Sequence, residues 1–245
     1  RMTRREWIPG VVDGEWDVLP EGVFFSCFDR AKHVRGKLKL VPREGAPVRW
    51  HIGIDYATAD RAFGHVAVLC QVQQLRDERG RMVEWIYIVD EVALAGTATN
   101  VTFAREMLAM LDRNGLRWTD LASVYGDNPV TSVWVQKSNI NTMRALSTEL
   151  GVPYSALTPR VLNAKDNVQS GGSKDTGCQY LFQSIASSRC LVGPRAEIVA
   201  KAFGAWDYTN QHPLKDPIDG VRYALKDYIL PQQRGTNVNL RLAGR

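Results

Sequence analysis

Two acids each stand directly after an apolar run. His51-Ile52-Gly53-Ile54 stops on Asp55, and Leu121-Ala122-Ser123-Val124-Tyr125-Gly126 stops on Asp127. A third acidic feature is Asp216-Pro217-Ile218-Asp219, whose two carboxylates are spaced to share one face of a helix. Each has an ordinary use. Asp55 begins Asp-Tyr-Ala-Thr-Ala-Asp, which suits a loop. Asp216 before Pro217 reads as an N-cap with proline at the first helical position, and Asp219 then suits the positive end of the helix dipole. The other use is to hold a hard divalent cation. Ionised carboxylates brought within a few ångströms repel, and a bound cation removes that penalty. If the two acid-terminated strands are parallel neighbours, Asp55 and Asp127 lie on one edge of a sheet. Taken together, the three acidic features favour a metal ligand over a turn residue at Asp55. At Asp216 and Asp219 capping and metal binding can coexist. Asp90-Glu91 ends another apolar run and reads as a surface pair, with a supporting role behind a metal as its alternative use.

Positioning these acids requires a sheet. Alternating apolar residues predict strands over 50–56, 64–72 and 83–91, the last two joined by the polar turn Arg76-Asp77-Glu78-Arg79-Gly80. Short connections make these three an antiparallel meander. Asn100 or Thr102 can cap a helix running to about 113, with Phe103, Met107, Leu108 and Leu111 as its apolar face. A fourth strand covers 121–126. A helix over about 131–150 carries Val135, Ile140, Met143, Leu146 and Leu150 and is stopped by Gly151 and Pro153. Tyr154-Ser155-Ala156-Leu157 reads as a short strand. Gly171-Gly172 makes 166–176 a candidate flap. Cys178, Leu181, Phe182, Ile185 and Ala186 form a helical stripe, Leu191-Val192 a small strand, and Ile198 to Trp206 another helix before the last one opens at Asp216. Three hairpin strands followed by alternating helices and strands predict an α/β fold: a mixed sheet with parallel strands added to the meander and helices on both faces.

The chain has 245 residues, 44% of them hydrophobic, which allows one well-packed domain with extensions. Its net charge of +5 suits a polyanionic partner such as nucleic acid. Cys27, Cys70, Cys178 and Cys190 are scattered without a Cys-x-x-Cys pair, so neither a zinc knuckle nor a disulfide framework is indicated, and a reducing compartment is expected. No apolar run approaches the length of a membrane span. Residues 1–48 are rich in Pro, Gly and charge and read as an arm that packs through Trp7, Trp16 and the Phe24-Phe25 pair; 49–230 hold the periodic segments; 231–245, with Arg234, Arg241 and Arg245 and no acid, read as a basic tail. The opening Arg1-Met2 suggests a piece of a longer protein.

Gly53-Ile54-Asp55 on a first strand, Tyr125-Gly126-Asp127 on a fourth and Asp216-Pro217-Ile218-Asp219-Gly220-Val221-Arg222-Tyr223-Ala224-Leu225 at the end resemble the nuclease domain of a tailed-phage large terminase, in the RNase H-like, RuvC-like group. The resemblance covers about 50–230, with Gly220 where alanine is more usual. Gly14-Glu15-Trp16-Asp17 resembles the stretch leaving a terminase ATPase domain, whose phosphate-binding loop is absent here. The resemblance implies an endonuclease that cuts concatemeric double-stranded viral DNA with little sequence specificity. Two Mg²⁺ or Mn²⁺ ions would be held by Asp55, Asp127 and Asp219, with Asp216 close by. Such ions, about 3.5–4 Å apart, stabilise the attacking water and the leaving oxygen. It also implies an ATPase domain, a portal and a small terminase subunit as partners of a ring-forming full protein, action in the cytoplasm of an infected bacterium, and a fragment that is monomeric by itself. Lys137, Arg160, Lys165 and Lys174 are candidate phosphate contacts, as is His212 for the scissile phosphate or a metal, although for each single cation scattered solubility charge, and for His212 an exposed loop position, is the more common use. A junction resolvase or recombinase of the same group is the second enzyme reading. A non-catalytic module docking on DNA or a portal is the third, and it would not need clustered acids.

Overall fold

The computed structural model describes residues 22–41, 48–56, 62–126, 133–157, 161–163 and 173–229. Strands β1 (Val48–Tyr56), β2 (His65–Arg76) and β3 (Met82–Leu94) form the antiparallel meander. Strand β4 (Leu121–Gly126) lies parallel to β1, β5 (Val161–Asn163) parallel to β4, and β6 (Cys190–Arg195) parallel to β3. The six strands run in the order β5-β4-β1-β2-β3-β6. The helices are α1 (Arg30–His33), α2 (Asn100–Arg113), α3 (Val133–Leu150), α4 (Tyr154–Leu157), α5 (Ser173–Ala186), α6 (Glu197–Ala205), α7 (Lys215–Ala224) and α8 (Lys226–Ile229).

Both faces of the sheet are covered, and the alternation in β2 shows how. Val66, Val68, Cys70 and Val72 enter one core with residues of α5, α6 and α7, while Ala67 and Leu69 enter a second core with Phe103, Met107 and Leu111 of α2 and Met143 and Leu146 of α3. The chain ahead of the sheet belongs to the first core: Phe25 and Phe28 are buried against Phe203 and Trp206, and the backbone N–H of Phe24 donates to the Trp206 carbonyl at 2.8 Å. The Phe24-Phe25 pair thus packs as expected. Trp7 and Trp16 lie outside the described residues.

Several local expectations are corrected. The cap of α2 is Thr99, whose Oγ1 accepts from the Thr102 N–H at 3.1 Å, instead of Asn100 or Thr102. Tyr154–Leu157 is a helical turn, not a strand, because the Ala156 N–H closes onto the carbonyl of Pro153 at 2.8 Å. The short strand lies at Val161–Asn163 instead, parallel to β4 on the side away from β1. Ser173 to Thr176, the last four residues of the expected flap, are the first turn of α5; 164–172 lie outside the described residues.

Asp90 and Glu91 are not a surface pair. Strand β3 continues to Leu94 and is flanked by β2 and β6, so both acids are interior to the sheet. Arg113 donates to both Asp90 oxygens at 2.7 Å, and Asn114 adds a bond at 2.6 Å. Glu91 accepts the N–H groups of Ile198 and Val199 at 2.6 and 2.9 Å, capping α6 from a strand. Burial pushes its carboxyl up to about 7 despite those donors.

Candidate functional site

Strand β1 carries the site on the face that meets α7 and α8. His51, Gly53 and Asp55 occupy alternate positions there, while Ile52 and Ile54 enter the opposite core. At Gly53 the helix comes closer than any side chain permits. A Cβ on Gly53 would stand 1.8 Å from the Gly220 carbonyl oxygen and 2.4 Å from the Ala224 nitrogen. Gly220 is small for the reciprocal reason, since a Cβ there would lie 2.9 Å from Cγ2 of Val68. Two positions before Gly53, His51 is fully buried. Its Nδ1 bonds Ser123 Oγ at 2.7 Å, and its Nε2 bonds the Tyr228 hydroxyl at 2.9 Å. Burial pushes its imidazole down to about 4, so it is neutral at physiological pH. Tyr125 of β4 donates to Asp227, which ties α8 to that strand as well.

This registration places the start of α7 at Asp55. The helix opens at Lys215, one residue before the expected Asp216, and its cap position, Leu214, supplies no side-chain bond. A tight turn makes the entry: His212 Nδ1 accepts from the Leu214 N–H at 3.1 Å, and the His212 carbonyl accepts from the Lys215 N–H at 3.1 Å. Asp216 is therefore inside the first turn instead of capping it. Asp55, Asp216 and Asp219 are all at least 97% buried, a degree of enclosure that carboxylates do not tolerate without compensation.

The compensation comes from the chain's own cations. The Lys215 ammonium bonds Asp219 Oδ2, lies 3.7 Å from Asp216 Oδ1 and interacts with Asp55. Arg222, one turn on, donates to Asp219 Oδ1. Burial favours the neutral form of Asp219, but Arg222 and Lys215 outweigh it and hold the carboxyl below its usual value. Burial likewise opposes the charge on Lys215, and Asp219, Asp55 and Asp216 together outweigh it and raise its pKa.

All these donors are carboxylate oxygens, the set that a hard divalent cation takes, so the donor chemistry fits Mg²⁺ or Mn²⁺. Among the described residues, however, no three His, Cys, Asp or Glu side chains already stand as a ligand cluster. Both oxygens of Asp219 are turned to Lys215 and Arg222. Asp127 follows Gly126 and lies outside the described residues, as do Arg160 and Lys165.

The other expected contacts are dispersed. Lys137 is exposed on α3. Lys174 is anchored instead of being presented to solvent: its ammonium donates to the Tyr208 carbonyl at 3.3 Å and Asn210 Oδ1 at 2.7 Å, and it lies 4.4 Å from the Tyr208 ring centroid. His212 is buried, contrary to an exposed loop position. Lys215, Arg222 and His51 were not singled out from the sequence. The signal for the first two is spacing, Lys215 four before Asp219 and Arg222 three after it. His51 carries no such signal, because its partners Ser123 and Tyr228 are far away in the chain.

Comparison with solved structures identifies the architecture. The nuclease domain of the P22 large terminase superposes with a TM-score of 0.56 at 11% identity, covering 86% of this chain and 95% of that one. The chain has the fold of a large-terminase nuclease domain. The large terminase of the thermophilic bacteriophage D6E also matches, with a TM-score of 0.50 at 15% identity over 92% of this chain and 52% of its own length. The chain thus spans about half of that terminase. No family model and no curated protein sequence matches. The RNase H-like mixed α/β sheet expected from the sequence is the one observed.

Proposed function

We propose that the chain is a metal-dependent endonuclease module of a phage DNA-packaging terminase, hydrolysing phosphodiester bonds of double-stranded DNA. The observation that carries this reading is the meeting of Asp55 with the Asp216–Asp219 turn of α7 at one buried acidic centre, in a fold shared with a terminase nuclease domain. Asp55, Asp127 and Asp219, with Asp216 beside them, would hold two Mg²⁺ or Mn²⁺ ions. Bound there, such ions supply an activated water and neutralise charge on the attacking and leaving oxygens.

The rest is done by the chain. Asp55 sits on a strand paired on both sides, which fixes its carboxylate. Gly53 lets α7 descend until its acids reach the strand end. Lys215 and Arg222 keep Asp219 ionised. Water is the nucleophile, so no serine or cysteine is required. The +5 net charge favours encounter with the DNA backbone, whose recognition carries no sequence information and suits the cutting of concatemers at many sequences. An ATPase domain, a portal, a small terminase subunit and the cytoplasm of an infected bacterium complete the setting in this reading.

Plasmid digestion tests it. Supercoiled DNA incubated with the chain and Mn²⁺ or Mg²⁺ is expected to be nicked and linearised, and chelation should stop the reaction. Cleavage that persists in excess chelator contradicts metal dependence. Four-way junctions resolved with linear duplex untouched point to a resolvase, and DNA binding without cutting under any metal points to a docking module.

A further inference from the structure

We infer that Lys215 is a resident counter-ion of the acidic centre, which competes with divalent cations for the same carboxylates and sets how tightly they bind. This inference rests on the nuclease reading above. Its ground is geometric. Lys215 precedes Asp216 in the chain, yet its side chain folds back along α7 to bond Asp219 one turn away, with Asp216 Oδ1 3.7 Å off and Asp55 of β1 in electrostatic contact. One ammonium thus sits against two buried acids of α7 and feels the charge of a third, Asp55, on β1. Arg222 also donates to Asp219, from the opposite end of the turn.

A divalent cation and this ammonium answer the same need, positive charge among carboxylates that cannot be hydrated. They cannot both sit against the Asp219 oxygen that Lys215 bonds. Loading a metal therefore requires Lys215 to withdraw, and the cost of breaking its contacts is subtracted from the affinity for metal. Withdrawal is sterically available, since the Lys215 side chain keeps 20% of its surface exposed whereas Arg222 keeps 7%. The device lets Asp219 fold in ionised form before a metal arrives. It also provides a threshold of metal concentration below which the centre is filled by the protein itself.

Calorimetric and thermal-shift titration of the whole chain with Mn²⁺ tests the inference without reference to cutting. Lys215→Met is expected to bind Mn²⁺ about tenfold more tightly than the parent or better, the effect of removing one competing charge. Lys215→Arg, which keeps the charge, should stay near the parent. A residue that merely supports the fold would give the opposite sign, since its loss loosens the ligands. Unchanged or weaker Mn²⁺ binding by Lys215→Met overturns the inference. If Lys215→Met unfolds without metal, recovery of a cooperative transition by Mn²⁺ supports the inference, and failure to recover overturns it. A parent chain that binds no Mn²⁺, or binds it equally after Asp55→Asn, removes the nuclease reading itself. Binding that depends on Asp55 but ignores Lys215→Met removes only the role of Lys215.

Discussion

Asp219 is a buried carboxylate gripped from two sides, and its two cations differ in kind. Lys215 can swing outward, while Arg222 is packed beside Gly177 of α5, where a Cβ would come within 3.0 Å of its Nε. Removing the fixed partner leaves a charge that the centre cannot rehydrate. Chemical denaturation of Arg222→Gln should therefore show a loss of about 3 kcal/mol, at the lower end for a broken buried pair because Lys215 remains. Asp55, Asp216 and Asp219 were legible as candidates because two acid-terminated strands and an Asp pair opening the last helix occur together in one chain. The cations were less so. Lysine and arginine at helical spacing from an acid usually form an exposed pair of little worth, and only the fold reveals that this pair is buried.

At the scale of elements, α7 and α8 are registered on β1 at three alternate residues: acid against acid at Asp55, backbone against backbone at Gly53, and a hydrogen-bonded histidine at His51. The middle contact has no slack. Gly53→Ala drives a methyl group into the backbone of α7, so a loss of about 3 kcal/mol or more is expected from denaturant unfolding, with cleavage falling further than stability as the helix is pushed off the strand. Gly220→Ala meets Cγ2 of Val68 at 2.9 Å and Cγ1 of Val66 at 3.4 Å but gains helix propensity of about 1 kcal/mol, so its net effect should be within about 1 kcal/mol of zero. His51 makes the registration sensitive to acid. Its folded-state pKa of about 4 lies below the unfolded value of 6.5, so the folded state binds fewer protons. The stability that depends on its neutral form is complete above pH 6.5 and is lost as pH falls toward 4, by up to about 1.4 kcal/mol per pH unit. The slope of stability against pH over that window should flatten in His51→Gln. Strands β1 to β4 and the long helices were legible from apolar period, whereas β5 was not, and the parallel pairing of β1 with β4 was legible only as a condition. The start of α7 was not legible, because Asp-Pro is a strong capping signal and the competing turn is closed by N–H groups donating to the His212 ring and carbonyl, which a lone loop histidine does not announce. Asp90 and Glu91 misled for a similar reason. Charged residues signal a strand end unless a partner is known, and Arg113 and the N-terminus of α6 come from elsewhere in the chain.

At the scale of the whole molecule, the segment before the sheet is joined to the loop that delivers the site. Phe24 stacks on Tyr208 with ring centroids 4.8 Å apart, and Phe25 fills the core against Phe203 and Trp206. The loop from Trp206 to Leu214 then runs directly into α7. Phe25→Ala should cost about 3–5 kcal/mol in denaturant unfolding, the range for a buried phenylalanine, and the same variant should lose part of its cleavage at temperatures where the parent is fully active. The central claim remains the acidic centre as the place where DNA is cut, and the most direct measurement is plasmid cleavage by Asp55→Asn in Mn²⁺ alongside its circular dichroism and thermal unfolding. A folded protein with a cooperative transition and cleavage reduced at least about a hundredfold is expected. A folded Asp55→Asn protein that cuts as fast as the parent would contradict that claim.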